Sequence, residues 1–155
     1  GGGEEAEQIR ASAVGNERVR FLGALSQDEL AKVLRSADVF VLPSMFEGLP
    51  LVVIEALACG CLAVVSDLPG MDDWMPSGLC EQGLVERVPM PPLISLDTPD
   101  PDAVPAFIED LAAALTTQLR RAAAKPDRAD IACHLSPLTW RGVFAKVKAV
   151  YRSFC

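Results

Sequence analysis

Apolar and polar positions alternate over residues 18–23, where Val19 and Phe21 interleave with Arg18 and Arg20, and this period of two predicts a strand. Two later stretches, DVFVL at residues 38–42 and LAVVS at residues 62–66, are short apolar runs of the kind that fully buried strands carry. Between the strands the spacing becomes helical. Leu30, Val33 and Leu34 share one face of a helix that runs to about Ser36. Ser26-Gln27-Asp28-Glu29 marks its start as a capping box, with the serine capping and the glutamate reaching back. Gly23-Ala24-Leu25 turns the chain into it. A second, almost wholly apolar helix leaves Pro50, and an opening helix is predicted at residues 4–14 with Ile9 and Ala13 inward. Alternating strands and helices with buried strands predict an α/β fold: a Rossmann-like parallel sheet with helices on both faces.

Beyond Gly70 the pattern loosens. Residues 84–102 carry Pro89, Pro91, Pro92, Pro99 and Pro101 and predict an extended or looped insertion. Such an insertion wraps the domain edge, packing Val85, Val88, Leu93 and Ile94, or offers a proline-rich ligand to a partner domain. Residues 103–124 predict a helix with Phe107, Leu111, Leu115 and Leu119 on one stripe, broken by Lys125-Pro126-Asp127. Ser136-Pro137 starts a terminal helix at about residues 137–154. Its stripe of Trp140, Phe144, Val147 and Tyr151 packs on its own domain or on a neighbour.

The 155 residues suit one domain with a real core. A net charge of −7 argues against a nucleic-acid surface and against a polybasic membrane anchor. The apolar run at residues 49–65 is interrupted by Glu55 and Gly60, which excludes a membrane span, and no signal peptide is visible. Gly1-Gly2-Gly3 reads as a cloning scar or a cut edge. The five cysteines, Cys59, Cys61, Cys80, Cys133 and Cys155, fit no zinc spacing and read as reduced thiols of a cytoplasmic protein. The single histidine, His134, has no metal-ligand pattern around it, so no metal is expected.

One stretch concentrates the chemistry. In residues 43–60, PSMFEGLPLVVIEALACG, a strand passes through a Gly-Pro loop into a helix. Between Glu47 and Asp67 the only charged residue is Glu55, and a lone carboxylate in an apolar run needs a polar partner. Pro50 suits the first position of a helix. The amides that follow, Leu51 and Val52, have no acceptor within the helix and sit at the positive end of its dipole. A strand, a turn and a helix mouth make an anion site. Leu51 and Glu55 share a face, so a phosphate on the Leu51 amide would set its sugar roughly 5–6 Å along the axis, near Glu55. A carboxylate accepts from paired hydroxyls such as those of a ribose, and Glu47 stands where a second sugar would lie. The plainer alternative is a buried βα unit whose charge is met by backbone.

These residues resemble the Glu-x7-Glu motif of retaining GT-B glycosyltransferases of the family 4 type. The resemblance rests on Pro43-Ser44, then Glu47-Gly48-Leu49-Pro50-Leu51, then Glu55-Ala56-Leu57-Ala58-Cys59-Gly60. It extends to VRFLGALSQDEL, ADVFVLPS and LAVVSDLPG, with Leu62 where the family commonly has proline. Met71-Asp72-Asp73-Trp74 stands where the family has a helix containing Pro-Glu, and Asp73 is a candidate replacement for that glutamate or simply solvated surface.

The resemblance implies the C-terminal, donor-binding half of a GT-B fold: one partial Rossmann-like domain over residues 1–155. It implies transfer of a sugar from an NDP-sugar, with retained configuration, to a glycan, lipid or small-molecule acceptor, without a metal or other cofactor. Glu47 would hold donor-sugar hydroxyls and back the developing oxocarbenium charge. Glu55 would hold the ribose, and the amides of Gly48, Leu49, Leu51 and Val52 would bind sugar and diphosphate oxygens. Leu25 would touch the base through its backbone, or is a core residue at a turn. The family's upstream Arg and Lys and its N-terminal domain have no counterpart here, so this part alone is expected to be inactive. The other reading is a glycosyltransferase-like domain kept as a non-catalytic binding or assembly module.

Overall fold

The computed structural model describes residues 4–124 and 128–153. The expected break at Lys125-Pro126-Asp127, the opening glycines and Cys155 lie outside them. Three parallel strands, β1 (Val39–Leu42), β2 (Leu62–Ser66) and β3 (Val85–Val88), lie in the order β1-β2-β3. Val39 pairs with Leu62 at one end of the first ladder, and Ser66 with Val88 at the end of the second. Every residue of the central strand β2 is buried, which is why LAVVS carries no polar alternation until its last position.

Helices cover both faces. On one side α3 (Leu51–Ala58), α5 (Ser77–Glu81) and α7 (Arg128–Leu135) meet the sheet around Val53, Leu57, Val65, Leu79 and Ile131. On the other, α6 (Val104–Ala123) lays Phe107 and Ala114 on Val64 and Val88. Helix α2 (Gln27–Ser36) rests on α3 through Leu34, Ala56 and Cys61, and the Cys61 thiol donates to the Leu34 carbonyl at 3.0 Å. The capping box is present. Ser26 N–H donates to Glu29 Oε2 at 2.8 Å, and Glu29 N–H returns to Ser26 Oγ at 3.4 Å.

Several expectations are corrected. Residues 18–23 form no strand: Val19, Phe21 and Leu22 are 44%, 46% and 52% exposed. An alternating pattern becomes a strand only when a ladder partner is present, and here the Phe21 ring instead carries the Arg10 guanidinium, 5.5 Å from its centroid. Ile9, on α1 (Glu4–Ser12), is exposed rather than inward, because among the described residues the helix makes no extensive contact with the sheet layers.

The stretch expected to be an extended or looped insertion opens with β3, extended as expected but part of the sheet. Val85 and Val88 are buried as anticipated, but Leu93 and Ile94 are exposed. The loop there turns back on itself, with Ile94 N–H on the Thr98 carbonyl at 2.9 Å and Asp100 N–H on Pro92 at 2.8 Å. On α6 the buried position is Gln118, not Leu119, because the helix keeps residues 107, 114 and 118 toward the sheet and rotates 119 away. Gln118 Nε2 donates to the Gly83 carbonyl at 3.0 Å.

The terminal helix begins later than expected. Ser136–Leu138 is a 3-10 turn, and α8 (Trp140–Arg152) follows with Thr139 as its cap. Its apolar stripe is largely exposed, and Trp140 and Val143 wall a cleft against Leu49, Leu51 and Trp74 of the same domain. Two short helices, α4 (Met71–Trp74) and α5, join β2 to β3.

Candidate functional site

The residues singled out above gather where β1 hands over to α3. Pro50 is buried with φ −75° and ψ 78°, an inverse γ-turn, and the Leu51 amide donates back to the Leu49 carbonyl at 2.8 Å. The Leu51 N–H, expected to be open for an anion, is therefore occupied in this structure, because the turn at Pro50 points it into the loop. Val53 N–H is likewise taken by the Pro50 carbonyl at 3.0 Å. Among the described residues the amides of Gly48, Leu49 and Val52 have no acceptor. They are the donors that remain at the helix mouth. Space beside Gly48 is open where a Cβ would project.

Glu47 is half-buried at the start of this loop. Its Oε1 accepts the Ser44 hydroxyl at 2.7 Å, which orients the carboxylate while Oε2 stays without a partner among the described residues. It faces a pocket of about 490 Å³ with Asp67 and an apolar wall that includes Phe46, Leu68, Pro91 and Leu93. Met90, Pro91, Leu93 and Leu96 of the proline-rich stretch thus line the pocket beside Glu47.

Glu55 is half-buried on α3, and its carboxylate makes no hydrogen bond or ion pair among the described residues. Two grooves meet at it. One, of about 350 Å³, runs between α3 and the first turns of α2, with Gln27, Asp28 and Ala58 on its walls. Leu25, half-buried, immediately precedes the cap of that helix. The other, of about 550 Å³, lies between Leu51, Trp74, Leu138 and Trp140, with Lys146 and Asp73 at its margins. Glu47 and Glu55 open into different cavities, on the two sides of the motif loop.

Sequence reasoning missed the supports of the site. Arg87, at the carboxyl-terminal half of β3, donates from Nε to Asp67 Oδ1 at 2.7 Å and from Nη1 to Asp72 at 2.5 Å. The Asp72 bond, with Asp67 beside it, holds the guanidinium above its ordinary pKa. This fork ties the loop after β2 to α4 and to β3. Its only sequence signal was a lone cation between valines in a stretch dominated by prolines. Among the described residues no three of His, Cys, Asp and Glu converge as metal ligands.

Residues 1–92, more than half of the chain, match the family model for group 1 glycosyl transferases. The chain belongs to the group 1 glycosyl transferases. Within the curated proteins, EpsF of Bacillus subtilis, named as a glycosyltransferase, is 36% identical over 94 residues, 61% of this chain and 22% of its own length. The N,N'-diacetylbacillosaminyl-diphospho-undecaprenol alpha-1,3-N-acetylgalactosaminyltransferase of Campylobacter jejuni is 50% identical over 52 residues, 34% of this chain and 13% of its own length. The UDP-Gal:alpha-D-GlcNAc-diphosphoundecaprenol alpha-1,3-galactosyltransferase of Escherichia coli is 41% identical over 55 residues, 36% of this chain and 14% of its own length. The chain therefore spans less than a quarter of each of these relatives. No solved structure matches significantly. The three-stranded parallel sheet flanked by helices agrees with a Rossmann-like half of a GT-B glycosyltransferase.

Proposed function

We propose that this group 1 glycosyl transferase chain is the donor-binding part of an enzyme that moves a sugar from a nucleoside-diphosphate sugar to an acceptor, with retained anomeric configuration. The observation that carries the reading is Glu55. It stands unpartnered and partly open to solvent on α3, one turn beyond the Gly48, Leu49 and Val52 amides, at the junction of two grooves. Sealing a carboxylate in an apolar interior would be costly, and leaving it at a helix mouth serves a ligand.

In this reading the Glu55 carboxylate accepts from both ribose hydroxyls, and the base lies along the groove toward Leu25 and α2. The open amides take diphosphate oxygens at the positive end of α3 and offset part of the leaving group's charge. The Leu51 amide joins them only if its bond to Leu49 is released. Glu47, oriented by Ser44, accepts from donor-sugar hydroxyls and stabilises positive charge at the anomeric carbon as the bond to the diphosphate breaks. The acceptor hydroxyl then forms its new bond to the anomeric carbon on the same face of the sugar and passes its proton to the departing diphosphate oxygen. Two relatives carry a diphospho-undecaprenol acceptor in their names and one carries UDP-Gal. Those names support an NDP-sugar donor and, among acceptors, a lipid-linked sugar.

Titration calorimetry with UDP, GDP and ADP tests this. Binding of one nucleotide, lost in Glu55→Ala and kept in Glu109→Gln on the exposed side of α6, is the expected result. Absence of binding by all three, in this chain and in a longer chain that includes the preceding domain, would assign it instead to a non-catalytic assembly module.

A further inference from the structure

The pocket of about 490 Å³ beside Glu47 joins two acids to a wall without side-chain donors. Apart from Glu47 and Asp67, every residue that lines it is apolar, among them Phe46, Met90, Leu93 and Leu96. Glu47 gives Oε1 to the Ser44 hydroxyl, and its Oε2 has no partner among the described residues. Asp67 Oδ1 accepts from Arg87, from Nε at 2.7 Å and again from Nη2, and its Oδ2 is likewise without a partner among them. Two acceptor oxygens are therefore left for a ligand. Phe46, Leu93 and Leu96 are 58%, 40% and 69% exposed, so the apolar wall reaches the surface, where large apolar patches mark binding sites.

The wall is braced by its own loop. Leu93 bridges Pro99, Ile94 N–H donates to the Thr98 carbonyl at 2.9 Å, and Asp100 N–H donates to the Pro92 carbonyl at 2.8 Å. The match to the family model ends at residue 92, so Leu93 and Leu96 lie outside the part that this chain shares with it.

Such a lining takes a group that donates to carboxylates and is apolar elsewhere. An anion is repelled by Glu47. A cation is a poor fit, because Arg87 already meets Asp67 and an ammonium would give up its water to an apolar wall. A hexose with hydroxyls around its whole ring would press some of them on the wall, where they lose water and gain no acceptor.

We propose that this pocket selects a sugar that carries an acetamido group, an N-acetylhexosamine. The amide N–H donates to one of the free carboxylate oxygens and a ring hydroxyl to the other. The acetyl methyl packs on the wall that includes Leu93 and Leu96, and the amide carbonyl keeps its water at the open mouth. That the sugar arrives on a nucleoside diphosphate rests on the transferase reading above; the pocket's preference does not.

Saturation-transfer NMR on this chain tests the proposal, with free N-acetylglucosamine, N-acetylgalactosamine, glucose, galactose and glucosamine. The expected result is strongest saturation at the acetyl methyl, and binding of the acetamido sugars about tenfold tighter than of glucose and galactose. Leu93→Asn and Leu96→Asn, both at exposed positions, each cut that preference to about threefold with circular dichroism unchanged, whereas Glu109→Gln leaves it intact. Equal binding of acetamido and hydroxyl sugars, tighter binding of glucosamine, no binding of any of them, or a preference indifferent to Leu93 and Leu96 overturns the proposal. Calorimetry with UDP, GDP and ADP on the same samples keeps the two readings apart. Nucleotide binding without discrimination among the sugars overturns the selectivity alone, and acetamido binding without any nucleotide binding supports the selectivity and removes the donor reading.

Discussion

Gly48 sits beside open space, with no heavy atom near the position of a Cβ, and its φ lies outside the left-handed region. The unliganded fold therefore has no need of a glycine there, whereas a ligand approaching the loop amides would. Gly48→Ala is expected to leave the denaturation midpoint within about 0.5 kcal/mol of the parent and to weaken nucleotide or donor binding at least tenfold, read by denaturant titration and calorimetry side by side. A comparable loss of stability would mean that the residue serves the fold. Glu55 was readable as exceptional because it is the only charge between Glu47 and Asp67. That its carboxylate has no partner among the described residues, while Glu47 takes Ser44, depended on tertiary structure. The Leu51 amide shows the opposite case. Its availability followed from general helix-end rules, yet the turn at Pro50 consumes it.

At the scale of elements, the start of α2 was legible because a capping box is local: four consecutive residues satisfy one another. The Ser26 hydroxyl first, and then its backbone N–H, hold the Glu29 carboxyl below its ordinary pKa of 4.5. A depressed carboxyl stabilises the folded state above its unfolded-state value, and that contribution is lost as pH falls through the lower folded-state value. Removing the cap with Ser26→Ala should cost about 1 kcal/mol near neutrality. Protonation weakens only the bond from the Ser26 hydroxyl to the Glu29 carboxylate and leaves the one from Glu29 N–H to Ser26 Oγ, so the gap between the urea midpoints of parent and variant should narrow, without closing, as pH falls below the ordinary carboxylate range. A gap that widened in acid would contradict the assignment. Strands were legible only in part. Residues 38–42 and 62–66 declared themselves by apolar content, whereas residues 18–23 had the pattern without a neighbour, and β3 had a neighbour without a clear pattern. A strand is a property of a pair, so local spacing misjudges both.

For the whole molecule, stability is concentrated where both faces of β2 are covered. Leu57, 1% exposed in the core under α3, and Leu119, 50% exposed on α6, look alike in a helical periodicity. Leu57→Ala should cost about 2–5 kcal/mol, and Leu119→Ala well under about 1 kcal/mol, by urea unfolding. Equal losses would refute the placement of α6. The one-residue difference between Leu119 and Gln118 follows from how α6 crosses the sheet, since Gln118 finds the Gly83 carbonyl only in that pose.

By itself the sequence determined the α/β class, the order of strand, motif loop and helix around Glu47 and Glu55, and the family, since all three rest on contiguous residues whose backbone preferences and charges act locally. Only the tertiary structure decided which strands pair, that the two glutamates open into separate cavities, that Arg87 braces Asp67 and Asp72, and that α8 leaves its apolar stripe largely exposed. Each of these depends on contacts between residues far apart in the chain, where the free energy of pairing or burial is set by what lies opposite and not by the residue's own neighbours.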